Sequence, residues 1–297
     1  MPVGVDVGGT AVKFGRVADG GVAARTRRPA PHDYAGLLDA IRDGIVELGG
    51  PDGAAVGVAV PGVVAPDRRR VLDAPNLPFL AGRPLAADLE RALGTAVVLE
   101  NDATAAAQGE LWLGGGRGHR DFLLATLGTG VGGGLVLAGR PWRGPGGMAG
   151  EFGHLPVGHG RPCRCGAIGC LEAIASAAAM ERLGREELGE SLPLPELAAR
   201  ARADDQAARR VFAVAGRALG EAFAQVALLL DLRVLLVGGG GAPVLDLLAP
   251  HALERLGERA FGRTPDDFVL APAELGNDAG LAGAALLAAG VNGEARG

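Results

Sequence analysis

One pattern occurs twice in this 297-residue chain, and it constrains the fold more than any other feature. Near the start, Val3, Val5 and Val7 alternate into Gly8-Gly9-Thr10, and Val12, Phe14 and Val17 alternate away. Near the middle, Phe122–Leu127 runs into Gly128-Thr129-Gly130, and Leu135–Leu137 returns. Apolar residues on both sides of a glycine turn read as a β-hairpin. A strand, a Gly/Thr turn and a return strand, found twice, predict two related α/β halves facing each other across a cleft.

Between and beyond the hairpins the periodicity changes. Leu37, Leu38, Ile41, Ile45 and Leu48 fall at helical spacing. Ala55–Val60 reads as a buried strand ending at Pro61-Gly62, and Leu85–Leu93 as a short helix. The strand Val97–Leu99 delivers Glu100-Asn101-Asp102 to the start of an Ala-rich helix. Asn and Asp are good N-cap types, so that pair also reads simply as a cap. A long helix is expected over Gln206–Leu230, and the strand Val234–Val237 then meets Gly238–Gly241 and another helix. A final helix spans Asp278–Ala289, and Gly184–Leu194 reads as a connector. The many Ala residues partly reflect overall composition in this reading, so Ala-rich stretches carry little weight. The expected domains are 1–113 plus 279–297, with the first glycine turn, and 114–278, with the second.

Hydrophobic residues at 48% supply ample core for two domains. A net charge of −5 argues against a nucleic-acid partner. Met1 leads almost directly into the first strand, and Asp231 and Arg233 break the apolar run at Val226–Leu230. Neither a signal peptide nor a membrane span is expected, so the chain reads as cytoplasmic.

All three cysteines lie in one run, Cys163-Arg164-Cys165-Gly166-Ala167-Ile168-Gly169-Cys170, with His154 just upstream. An odd, crowded set is a poor disulfide framework. Three soft thiolates and an imidazole at this spacing suit a tetrahedral Zn²⁺ site. Four protein ligands leave no open position, so the expected zinc is structural. Glu151 and Glu172 flank it.

The two glycine turns are also phosphate-cradling candidates, because glycine lets backbone N–H groups approach an anion and threonine adds a hydroxyl. Gly128, Gly130 and Gly133 satisfy a dinucleotide fingerprint as well, but that motif needs a following helix, and Leu135-Val136-Leu137 reads as a strand. Asp6, before the first turn, could hold Mg²⁺ directly or through water. Asp102, at a strand-to-helix junction, is placed as a general base. Phosphoryl transfer requires little more than positioning, charge neutralisation and one proton acceptor.

Taken together, Asp6-x-Gly8-Gly9-Thr10-x-x-Lys13, Glu100-Asn101-Asp102, Leu127-Gly128-Thr129-Gly130-x-Gly132-Gly133-Gly134, Glu151-x-Gly153-His154 and Cys163-x-Cys165-Gly166-x-x-Gly169-Cys170-x-Glu172 resemble the ROK family of sugar kinases and repressors. The resemblance implies the two-domain actin-like ATPase (ribonuclease H-like) fold with an interdomain cleft and a zinc-binding loop. It implies Asp102 as catalytic base, and Asn76, Asn101, Glu151, His154 and Glu172 on sugar hydroxyls. It implies Asp6, Gly8, Gly9, Thr10, Lys13, Gly128, Thr129 and Gly130 at the phosphates, and Gly239-Gly240 near the adenosine. His154, Cys163, Cys165 and Cys170 would bind zinc. The expected activity is ATP- and Mg²⁺-dependent phosphorylation of a hexose 6-hydroxyl, glucose first and an N-acetylhexosamine second, by a homodimer or homotetramer. A family repressor carries a helix-turn-helix before the first turn, and five residues before Asp6 leave no room for one. A non-catalytic sugar sensor is the remaining reading of another class.

Overall fold

Gly8 donates its N–H to the Ala11 carbonyl at 3.0 Å, which closes the first glycine turn. That turn pairs β1 (Val3–Val7) antiparallel with β2 (Ala11–Ala18). The computed structural model describes residues 1–18 and 20–290. A strand that periodicity does not reveal, β3 (Gly21–Pro29), extends the meander, and its side chains are mostly exposed on both faces. The helix α1 (Tyr34–Glu47) follows, its first turn capped by Asp33 accepting from Gly36 N–H at 2.8 Å. Next come β4 (Val56–Val60), the small hairpin β5 (Val63–Val64) and β6 (Val71–Asp73), α2 (Leu85–Leu93), β7 (Val97–Asn101) and α3 (Asp102–Leu113). The first sheet is ordered β3-β2-β1-β4-β7, with β1, β4 and β7 parallel.

The second half builds the same order. Its strands are β8 (Phe122–Leu127), β9 (Val131–Leu137) and β10 (Arg140–Pro141). The helices α4 (Glu172–Ala175), α5 (Ala177–Leu188), α6 (Leu194–Arg202) and α7 (Gln206–Leu230) precede β11 (Val234–Gly239). Then α8 (Leu245–Arg259), β12 (Val269–Pro272) and α9 (Ala279–Ala288) end the described chain. The second sheet runs β10-β9-β8-β11-β12. In both sheets a three-strand meander is followed by two parallel strands, so the repeat legible in the two hairpins is a repeat of topology.

Three expectations change. The return strand β9 begins at Val131, so Gly132 to Gly134 are strand residues and not loop. The expected connector Gly184–Leu194 is helical as far as Leu188. Gly184 is no break: a Cβ there would stand 2.9 Å from Leu197 Cδ2, so the glycine lets α5 approach α6. The link is only 189–193, entered through Gly189 at φ +77°. The Ala-rich stretches also carry more than composition. A Cβ at Gly109 of α3 would press on the Ala279 carbonyl, and one at Gly283 of α9 on the Ala105 carbonyl. The two helices thus meet nearly backbone to backbone, which small side chains alone permit.

By contacts the chain forms two units. The first gathers Met1–Arg120, Gly134–Gly150 and Asn277–Gly297, and the second gathers Asp121–Gly133 and Glu151–Gly276. Of the first expected domain, 291–297 lies outside the described residues. The first unit centres on β1, β4 and β7 with α1 and α2 against them, packing Val5, Phe14, Ile41, Val58, Leu89 and Leu99. The helix α7 is long and apolar enough to cross a bilayer, but half of that window is buried, and it packs against α5, α6 and α8.

Candidate functional site

In the first unit, β1 and β2 place Asp6 directly opposite Lys13, and their side chains pair at 3.1 Å. Lys13 also donates to the Asn277 carbonyl at 3.4 Å. At the head of α9, a Cβ on Gly280 would lie 3.4 Å from the Asp6 carboxyl carbon, so glycine keeps this side of the acid uncrowded. Gly9 and Thr10 are exposed at the turn. Asn76 is exposed beyond β6, in a turn closed by Leu77 N–H on the Ala74 carbonyl at 2.9 Å.

Asp102 is the first residue of α3, and Asn101 is its cap. Asn101 Oδ1 accepts from Thr104 N–H at 3.0 Å. Its Nδ2 donates to the Gly62 carbonyl at 3.0 Å and to Asp102 Oδ1 at 3.1 Å. Asp102 Oδ1 also accepts from Ala103 N–H at 2.8 Å. The cap and the acid are therefore one hydrogen-bonded unit, and the capping reading of Asn101 holds. Behind them Glu100 is 2% exposed; Oε1 accepts from Asn101 N–H at 3.0 Å and Oε2 from Arg143 Nε. Burial pushes the Glu100 carboxyl above its ordinary range, and Arg143 pulls it partly back. Sequence reasoning missed Arg143. A charged residue after three apolar ones in a strand hints at a partner, but nothing local says that it lies 43 residues on.

The second unit brings together two of its glycine segments. Gly128 N–H bonds to the Gly130 carbonyl at 2.9 Å. Gly239, at φ +63°, ends β11 where a Cβ would stand 2.7 Å from the Leu127 carbonyl. A Cβ at Gly240 would lie 3.3 Å from the same oxygen and 3.6 Å from Ala177 Cβ. Next to Ala177 opens a cleft of about 650 Å³ lined by Ala178, Glu181, Arg182, Arg185, Ser191, Leu192 and Pro193. Glu172, heading α4, accepts from Val131 N–H at 3.0 Å.

His154, Cys163, Cys165 and Cys170 converge, with one ligand atom from each lying within 4.8 Å of all the others. Cys165 and Cys170 sulfurs are 3.7 Å apart, and Cys163 Sγ is 3.9 Å from His154 Nδ1. Zn–S and Zn–N bonds of ordinary length give tetrahedral edges of about 3.5–3.8 Å, so this donor set fits zinc. Burial and the neighbouring thiols push Cys170 up to about 12, whereas the Ala167 N–H lowers Cys165. With Nδ1 turned to the sulfurs, His154 Nε2 lies 3.8 Å from Glu151 Oε2. His159, in the same loop, has both ring nitrogens on backbone groups: Nδ1 accepts from Arg161 N–H at 3.1 Å and Nε2 is on the Cys170 carbonyl at 3.0 Å.

The ROK family profile matches residues 2–291. A glucokinase of Streptomyces coelicolor is 35% identical, aligned over 97% of this chain and 97% of its own. An N-acetylmannosamine kinase of Salmonella typhi is 33% identical, over 96% and 97%. The crystal structure of a ROK family glucokinase from Streptomyces griseus, in complex with glucose and AMPPNP, superposes with a TM-score of 0.84. It is 34% identical, over 97% of this chain and 99% of that one.

Proposed function

The chain belongs to the ROK family, and from that premise we propose that it transfers the γ-phosphoryl group of ATP to the 6-hydroxyl of glucose. The observation that carries the reading is the Asn101–Asp102 pair. Asp102 is anchored at the head of α3 through Asn101 Nδ2 and Ala103 N–H, as a proton acceptor must be. It takes the hydroxyl proton as O6 bonds to the γ-phosphorus, and ADP leaves with the cleaved bond's electron pair. Gly9, Thr10, Thr129 and Gly130 supply backbone and hydroxyl donors to the phosphates, in turns that the Gly8 and Gly128 N–H groups close. Asp6 is the residue for Mg²⁺, which neutralises phosphate charge when bound. Lys13 pairs with Asp6 and shares that electropositive role. Gly239 and Gly240 are assigned to the adenosine, and a Cβ at Gly240 would lie 3.6 Å from Ala177 Cβ at the head of α5.

Asn76, Asn101, Glu151, His154 and Glu172 are assigned to sugar hydroxyls. Both N–H donors of Asn101 Nδ2 are used within the protein, so Asn101 meets sugar through Oδ1. His154, Cys163, Cys165 and Cys170 would hold a zinc ion, which would fix the shape of the loop, and with Nδ1 on the cluster His154 keeps Nε2 for the sugar. We place the enzyme in the cytoplasm as a homodimer or homotetramer. The exposed run Leu228-Leu229-Leu230 supports such association.

The N-acetylmannosamine kinase likeness supports a second reading, in which the acceptor is an N-acetylhexosamine. Coupled ADP release over glucose, mannose, N-acetylmannosamine and N-acetylglucosamine decides it. The highest kcat/KM is expected for glucose. A higher value for N-acetylmannosamine would reverse the order, and sugar binding with no ADP release would favour a sensor.

A further inference from the structure

Two segments of the metal loop grip the phosphate turn of the second unit at Val131. That residue follows Gly130 and donates its N–H to Glu172 Oε2 at 3.0 Å. The space a Cβ would need at Gly130 is taken by the same carboxylate oxygen. From the other side, a Cβ at Gly153 would fall on the Val131 carbonyl, so the turn 151–154 lies flat on Val131. The far end of the phosphate turn is tied as well, because the Gly128 carbonyl accepts from Ala177 N–H at 2.9 Å.

These gripping residues adjoin the metal ligands. Gly153 precedes His154, and Glu172 comes two residues after Cys170. Leu171 N–H bonds to the Leu155 carbonyl at 2.9 Å, which joins the two segments into one frame. Glu172 links the turn to the cysteine cluster: Oε2 is on Val131, and Oε1 lies 3.8 Å from Cys163 Sγ. A glycine turn has wide backbone freedom, so aiming its N–H groups at phosphate oxygens needs outside support.

We propose that Glu172 is a positioning residue for the phosphate turn: with Gly153 it forms a clasp that carries the state of the metal loop to Gly128–Gly130. Opening the metal loop therefore weakens binding of a nucleoside polyphosphate, even with no sugar present. The identity of that anion rests on the kinase reading, and the role is additional to any hydroxyl contact of Glu172.

The test measures MgADP affinity by calorimetry without sugar, and amide exchange of the segment containing Val131, on wild type, Glu172→Ala and Glu172→Gln. Glu172→Ala should raise the MgADP Kd about 10-fold, the worth of one charge-assisted hydrogen bond, and speed exchange at Val131. Glu172→Gln keeps an acceptor oxygen and should restore both to within about 3-fold of wild type. Stripping zinc from wild type with a chelator should mimic Glu172→Ala and add little to it, as expected for two changes acting through one contact. Unchanged MgADP affinity and Val131 exchange in Glu172→Ala would overturn the clasp, as would a Gln variant as impaired as the Ala variant. If wild type bound no MgADP while Val131 exchange still responded, the clasp would stand and the kinase reading would fall.

Discussion

Replacing Asp102 with Asn preserves size and leaves an oxygen for the Asn101 and Ala103 donors, but removes the proton acceptor. The kcat for glucose should drop about 10²–10⁴-fold with glucose affinity nearly kept, as read by ADP release and by sugar titration. Turnover near wild type would take Asp102 out of the mechanism. Asp102 was legible because its motif is contiguous; its support was not, since Arg143 reaches Glu100 only through the fold. Arg143→Met strips Glu100 of the cation that hydrogen-bonds to it, leaving the Arg68 charge nearby, and should lower stability by about 3 kcal/mol at pH 8, measured by urea unfolding. The loss should shrink at pH 5. Burial raises the folded carboxyl above its unfolded value, so the native state holds the proton over a window that opens just above the ordinary carboxylate range. Within that window the native state binds more protons than the unfolded state, and stability falls as pH rises. A loss that is the same at both pH values would show that Glu100 stays ionised without Arg143.

Among elements, those with strong periodicity were legible, and α2, α7 and β8 have the bounds that their apolar spacing implies. The exposed edge strand β3 was not, because alternation marks only a strand with one buried face. Nor was the meaning of small residues. Alanine and glycine in α3 and α9 look like background composition until the helices are seen to meet at Gly109 and Gly283. Gly283→Ala would set a methyl on the Ala105 carbonyl, and the backbones must part to admit it. A cost of about 1–3 kcal/mol is expected from urea unfolding, despite the better helix propensity of alanine. Because α3 begins at Asp102, kcat should fall in the same variant. Stability equal to or above wild type would mean that the helices do not need this close approach.

At the scale of the molecule, the two hairpins announced two sheets, but chain membership is finer than any composition signal. The chain passes between units at 120/121, 133/134, 150/151 and 276/277, and one of these crossings falls inside β9. Gly134 sits where a Cβ would meet the Ala103 carbonyl and Ala107 Cβ, a packing fact that local sequence does not carry. Each unit has its own buried core, with Phe14, Ile41 and Leu99 in one and Phe122, Phe212 and Phe223 in the other. His154, Cys163, Cys165 and Cys170, which could hold the metal, all belong to the second unit. Metal binding to a folded site adds to folding free energy, so chelation should destabilise the second unit selectively. Scanning calorimetry of the chelated protein should resolve a new low-temperature transition ahead of one that has barely moved. Amide exchange just above the first midpoint should show β8 and α7 open while β1 and α1 remain protected. Restoring Zn²⁺ should merge the transitions again. If chelation instead lowers a single transition and exchange rises together in both cores, the units unfold as one body and the metal loop governs the stability of the whole chain.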